Sequence, residues 1–257
     1  MTFKSIAAAS LLALAASLGA ASAEQIKVGI AAEPYPPFAS ADAAGNWTGW
    51  EVEIIGAVCG AAKLDCAITP VAWDGIIPSL TGKQIDVIMA SMSITDERMQ
   101  SIDFSDMYYN TPAVIVAAKD SDIKPTPEGL AGKILGIQAS TTHQAYAQAH
   151  FEGKTELKVY QTQDEANQDL IAGRIDATQA DSIALADFVN SEAGACCEIK
   201  GAVANDPAIL GAGVGAGLRK GDEDLKAKIN EGIAAILADG TYDKITSKYF
   251  TTSIYSK

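Results

Sequence analysis

Two stretches about 90 residues apart repeat one another without a gap, and this repeat narrows the possible folds more than any other feature of the chain. Residues 80–91 read Leu-Thr-Gly-Lys-Gln-Ile-Asp-Val-Ile-Met-Ala-Ser, and residues 170–181 read Leu-Ile-Ala-Gly-Arg-Ile-Asp-Ala-Thr-Gln-Ala-Asp. Each predicts the end of a helix, a short turn and a strand. The spacing exceeds solenoid periods, so two similar lobes are expected rather than a stacked array. The β-branched run at 84–90 reads as a buried parallel strand. Ser91 and Asp181 fall at the same place in the two copies, just past the strand. In an open α/β sheet that edge is where ligands bind.

The first copy runs on into Ala-Ser-Met-Ser-Ile-Thr-Asp-Glu-Arg at 90–98. Ser91 and Ser93 offer short hydroxyl donors. Thr95, followed by Asp96 and Glu97, predicts a helix start with acids in its first turn. Arg98 offers a planar fork suited to a carboxylate. Taken alone, the stretch reads equally well as a capped helix with a solvated arginine. If the lobes face each other, however, a donor-rich rim of Ser91, Ser93 and Arg98 opposes the carboxylate of Asp181. That pairing is complementary to a zwitterion.

The amino terminus carries Lys4, a run of apolar and small residues, and then Ala21-Ser-Ala23. This pattern predicts a secretory signal peptide over residues 1–23 and a mature chain starting at Glu24. The run is short for a membrane span. The formal net charge is −13, and loss of Lys4 makes the mature chain more acidic by one unit. So acidic a chain argues against nucleic acid as a partner. Four cysteines suit an exported, oxidising setting. A local disulfide is expected between Cys59 and Cys66. Cys196 and Cys197 are adjacent, and a vicinal disulfide, two free thiols or pairing outside the chain all remain open. With two histidines, neither at ligand spacing from the thiols, no metal and no other cofactor is expected.

In chain order, residues 25–31 predict a first strand, and 33–38 form a proline-stiffened loop that fixes Tyr35. Tyr35 reads either as a stacking platform or as a lid on the core. A helix is expected to about Ala62, then a strand over 66–72. Trp73 marks the next strand-to-helix junction, with Asp74 as the expected N-cap. Residues 103–109 read as turn-rich, 113–119 as a strand crossing between lobes, and 126–133 as a short helix. A second βα series follows: strands at 134–139, 156–161 and 175–180, with helices at 164–173 and 182–192. Residues 140–143 read as a helix N-terminus with free N–H groups, Thr142 adding a hydroxyl and His143 a solvated first-turn residue. A strand at 198–203 and the glycine-rich strand at 210–218 lead to an amphipathic helix at 222–238 and a short helix to Phe250. The expected architecture is therefore two α/β lobes, 24–112 with 207–257 and 113–206, joined by a two-strand hinge.

Four segments carry a resemblance: Trp-Asp-Gly-Ile-Ile-Pro-Ser-Leu from Trp73, Ser-Met-Ser-Ile-Thr-Asp-Glu-Arg from Ser91, Ala-Gly-Arg-Ile-Asp from Ala172, and Ala-Asp-Gly-Thr-Tyr-Asp-Lys from Ala238. Over nearly the whole mature chain, the sequence resembles the periplasmic amino-acid-binding proteins of ABC importers, solute-binding family 3. Within that family it is similar to the lysine/arginine/ornithine-, histidine- and opine-binding branch. The resemblance implies a type II periplasmic-binding-protein fold and a monomer that captures a polar or basic amino acid, or an opine, for a membrane permease. It implies no catalysis. The alternative is a periplasmic enzyme resembling cyclohexadienyl dehydratase, on the same scaffold. The Cys59–Cys66 spacing matches a disulfide of that branch. Arg98 would clamp the ligand carboxylate with Ser93 and Thr142, Asp181 would meet the α-ammonium, and Ser91 would add a polar contact. Tyr35 and Trp73 would flank the side chain, with Glu51 near its tip. Basic-ligand relatives carry an acid three residues before the loop tyrosine, where this chain has Ala32. A cationic side chain would therefore rely on Glu33 or Glu51. Ala90 replaces the first serine of the usual pair.

Overall fold

The computed structural model describes residues 25–255; the expected signal peptide lies outside them. The chain opens with β1 (Ile26–Ala31), a small β2–β3 hairpin (Ser40–Ala41, Trp47–Thr48) and α1 (Trp50–Ala61). Next come β4 (Cys66–Val71), a 3-10 turn (Trp73–Gly75), α2 (Ile76–Thr81), β5 (Val87–Ile88), α3 (Asp96–Met99) and β6 (Ile102–Tyr109). After β7 (Ala113–Ala118) and β8 (Ile134–Gln138) follow α4 (Thr142–His150), β9 (Glu156–Tyr160), α5 (Gln163–Ile171), β10 (Ala177–Asp181) and α6 (Ser182–Asn190). A 3-10 turn (Ala193–Cys196), β11 (Cys197–Ala202), α7 (Pro207–Leu210), β12 (Val214–Arg219), α8 (Glu223–Ala238) and α9 (Thr241–Thr246) complete the chain.

Two five-stranded sheets result, with orders β4-β1-β5-β12-β6 and β11-β7-β10-β8-β9. They share one plan. A parallel set, β4-β1-β5 or β9-β8-β10, is followed by an antiparallel strand that comes from the other side, β12 or β7. The chain leaves the first sheet after β6 and returns to it with β12. Each sheet is packed against helices, which buries its apolar faces. In the first lobe, Trp50 is fully buried, and its indole N–H donates to Thr246 Oγ1 at 3.0 Å, tying α1 to α9.

The repeat has a physical basis. Lys83 (φ 61°) and Gly173 (φ 67°) occupy the same place in the two copies and adopt the same left-handed turn. Asp86 then accepts from Lys27 N at 2.9 Å, and Asp176 accepts from Ile134 N at 2.8 Å. Each aspartate thus satisfies an N–H at the start of its neighbouring strand. Leu80 and Leu170, and Ile85 and Ile175, are buried at matching positions.

The structure corrects several expectations. Residues 103–109 belong to β6 rather than to a turn-rich stretch, because β12 pairs with them. Residues 126–133 form turns, not a helix. Asp74 caps nothing: it lies inside the 3-10 turn, and α2 has Gly75 as its N-cap, without a side-chain cap. Thr95, by contrast, is the N-cap of α3, accepting from Arg98 N at 3.2 Å. The Cys59–Cys66 disulfide joins the end of α1 to β4. Cys196 and Cys197 are free thiols, the first exposed and the second buried. Among the described residues, no helix is long and apolar enough to cross a membrane, and no acidic, histidine and cysteine cluster is arranged to hold a metal.

Candidate functional site

A cavity of about 610 Å³ lies where loops of both sheets meet. Glu33, Tyr35, Glu51, Trp73, Ser91, Ser93, Arg98, Thr142 and Asp181 all line it. The two sheets contribute opposite ends. Arg98 stands on α3, reached from β5, and Asp181 ends β10 in the other sheet.

Arg98 is held from three sides. One amino group donates to Ser93 O at 2.9 Å, and the other to Ser140 O at 3.4 Å. Its guanidinium lies 5.6 Å from the Trp73 ring centroid, within cation–π range. Burial lowers its pKa to about 10, which leaves it cationic at neutral pH. The loop that carries it is braced by the returning glycine-rich segment. Gly211, at φ 90°, leaves no room for a side chain: an added Cβ would sit 2.4 Å from Ile94 O. Ile94 N in turn donates to Gly213 O at 2.8 Å.

Asp181 caps α6, accepting from Ile183 N at 2.8 Å, and takes a further hydrogen bond from the Thr111 hydroxyl. Burial raises its pKa to about 6 despite these donors. Glu51 is deeper, only 1% exposed. Ser91 donates to it twice, through N at 2.8 Å and Oγ at 3.0 Å, and the Tyr108 hydroxyl donates as well. Burial pushes its carboxyl pKa up. Glu51 therefore sits beneath the Ser91 turn, whose φ of 53° is unusual for a residue with a side chain.

The aromatic walls have separate supports. Tyr35 stacks on Phe38 at 5.8 Å, and Phe38 stacks on Tyr109 at 5.0 Å, so Tyr35 is the outer ring of a stack rooted in the core. The Trp73 backbone N–H donates to Glu33 Oε2 at 3.0 Å, and its indole N–H donates to Ser140 O at 3.3 Å. Thr142 opens α4, with Thr141 as the N-cap.

Tyr109, Thr111, Gln138 and His143 also line the cavity. Tyr109, the last residue of β6, and Thr111, within the crossing at 110–112, were missed because no periodic pattern marks a site there. His143 corrects the reading of a solvated residue. It is half-buried on the cavity wall, and burial together with the nearby Arg98 charge holds its pKa down to about 4.

Two matched α/β lobes around a shared, oppositely charged cavity have the architecture of type II solute-binding proteins. Residues 26–252 match the bacterial extracellular solute-binding proteins, family 3, and the chain belongs to that family. It is 38% identical over 257 residues to the lysine/arginine/ornithine-binding periplasmic protein of Escherichia coli (strain K12), covering 98% of each chain. It is 40% identical over 232 residues to the L-arginine-binding protein of Pseudomonas aeruginosa, covering 90% of this chain and 89% of the relative. Among solved structures, a Salmonella typhimurium periplasmic binding protein of high arginine specificity superposes with a TM-score of 0.81 at 29% identity, covering 88% of this chain and 99% of that one.

Proposed function

We propose that this protein captures a polar or basic amino acid, of the arginine, lysine, ornithine or histidine type, or a related opine, and delivers it to the permease of an ABC importer. In this reading, residues 1–23 are a cleaved signal peptide and the mature protein is a periplasmic monomer without catalytic activity. Residues 24–112 with 207–257 form one lobe, 113–206 the other, and the two crossings form the hinge. The observation that carries the proposal is the pair Arg98 and Asp181, opposite charges from two different sheets on one cavity. Arg98, Ser93 and Thr142 take the ligand carboxylate, and Asp181 takes the α-ammonium. Charge-assisted hydrogen bonds of this kind contribute about 1.5–3 kcal/mol each. Ser91 adds a polar contact to the head group, on the turn that Glu51 supports from below. Tyr35 and Trp73 flank the side chain, and Glu33 faces its far end. Only the closed arrangement offers both charged ends, so ligand binding favours closure.

Isothermal titration of the mature protein with the common amino acids and opines tests this. Binding of at least one with a one-to-one stoichiometry is expected, and binding of none overturns it. One observation favours an enzymatic alternative: the neutral His143 on the cavity wall, a possible proton acceptor. Turnover of prephenate or arogenate would decide for that alternative.

A further inference from the structure

Asp181 ends β10 and caps α6, and its two carboxylate oxygens are held by different parts of the chain. Oδ1 accepts from Ile183 N at 2.8 Å, the bond of an ordinary helix cap. Oδ2 accepts from the hydroxyl of Thr111, which lies 70 residues away in the chain, in the crossing between the sheets. A capped helix needs only the first of these bonds. With a donor on each oxygen, the carboxylate cannot turn about its Cβ–Cγ bond without losing one of them. Each oxygen still has capacity to accept a further hydrogen bond.

Thr111 is itself anchored on both sides. Asn110 N donates to Ile254 O at 2.9 Å, and Ser182 N donates to Pro112 O at 2.9 Å. One flank is tied to the C-terminal segment and the other to the start of α6. The backbone, rather than a bound molecule, thus places the hydroxyl, and Thr111 lines the cavity.

The contact bears on charge as well as direction. Burial favours the protonated form of Asp181, and the Thr111 hydroxyl is foremost among the donors that oppose it. From the first lobe, Tyr35, Glu51 and Tyr109 lie close enough to feel the Asp181 charge. Glu33, Arg98 and His143 stand on the same cavity. Both tyrosines are pushed well above their usual range, His143 is neutral above about pH 4, and Arg98 stays cationic. Glu51 is a second buried acid whose carboxyl is raised, so a measurement has to separate the two.

We propose that Thr111 is a positioning residue for ligand capture: its hydroxyl sets the direction of the carboxylate that meets the α-ammonium. The proposal rests on the reading above that the cavity holds an amino acid.

The test is titration of arginine and lysine, whose side chains do not ionise between pH 5 and 8, into the mature protein, Thr111→Val and Thr111→Ser across that range, with a melting temperature for each. The carboxyl-carbon resonance of Asp181 is followed through the same range in the ligand-free proteins, which separates it from Glu51. Thr111→Val keeps the shape and removes the donor. It is expected to raise the midpoint of both curves by about one pH unit. It is also expected to weaken binding severalfold at pH 8, where the carboxylate is charged but less well aimed. Thr111→Ser, which keeps the hydroxyl, is expected to stay near the wild-type midpoint. An unmoved midpoint in Thr111→Val overturns the proposal, as does an equal shift in Thr111→Ser. If Thr111→Val does not fold, Thr111→Ala takes its place with the same expectations. A wild-type protein that binds no amino acid removes the parent reading, while the Asp181 resonance still judges the Thr111 contact.

Discussion

The guanidinium of Arg98 in one lobe donates to the carbonyl of Ser140 in the other at 3.4 Å. Trp73 reaches the same carbonyl at 3.3 Å. Arg98 and Trp73 thus both make hydrogen bonds between the lobes. Arg98→Ala removes the cation, the contact between lobes and the stack on Trp73 together. A loss of affinity on the order of a hundredfold is expected by isothermal titration. Trp73→Phe keeps an aromatic wall and removes only the indole donor, so a several-fold loss is expected, accompanied by a more open average shape in solution scattering.

The pKa of Asp181 gives the site a pH dependence of known sign. Its carboxyl is raised to about 6 by burial, opposed by donors from Thr111 and from the backbone at the start of α6, with the ionisable Tyr35 and Glu51 nearby. Below that pH the free protein holds a proton at the position proposed for the ligand ammonium. Affinity is expected to be flat above about pH 7 and to fall up to tenfold per pH unit below about 6. Asp181→Asn should bind weakly at every pH and lose that slope.

Glu51 supports the Ser91 turn, and its removal leaves buried donors unpaired. Glu51→Ala is expected to cost about 2–4 kcal/mol in denaturant unfolding, because Ser91 and Tyr108 lose their acceptor inside the core. Glu51→Gln keeps an acceptor and should lose much less stability. A Glu51→Ala protein as stable as wild type would show that the turn holds itself.

Asp86 and Asp176 allow the repeat to be tested. Each satisfies an N–H near the start of a strand, one per sheet. Asp86→Ala and Asp176→Ala should each lower stability by about 1 kcal/mol. Asp86 should cost more, since it also pairs with Arg219 at 3.1 Å. The double variant should be additive within about 0.5 kcal/mol, because the two sites share no partner.

The repeat was readable because its constraints are local: a left-handed turn, two buried aliphatic positions and an aspartate that reaches one strand over. The N-cap at Thr95 was readable for the same reason. The expected cap at Asp74 failed because a 3-10 turn intervenes before α2. Strand β6 was misread because its pairing partner, β12, lies more than a hundred residues downstream. Thr111 and Tyr109 join the site through the crossing between sheets, which leaves no periodic mark in the sequence. His143 was legible as a residue near the cleft, but read as solvated; it is instead half-buried on the cavity wall.

Gly211 shows how far the backbone support of Arg98 extends. A side chain there would meet the carbonyl of Ile94, two residues before the helix that carries Arg98. A methyl group there would displace the backbone behind the guanidinium without touching any bound molecule. Drift in specificity among descendants of this sequence could therefore begin outside the cavity, in the ribbon that carries the chain home.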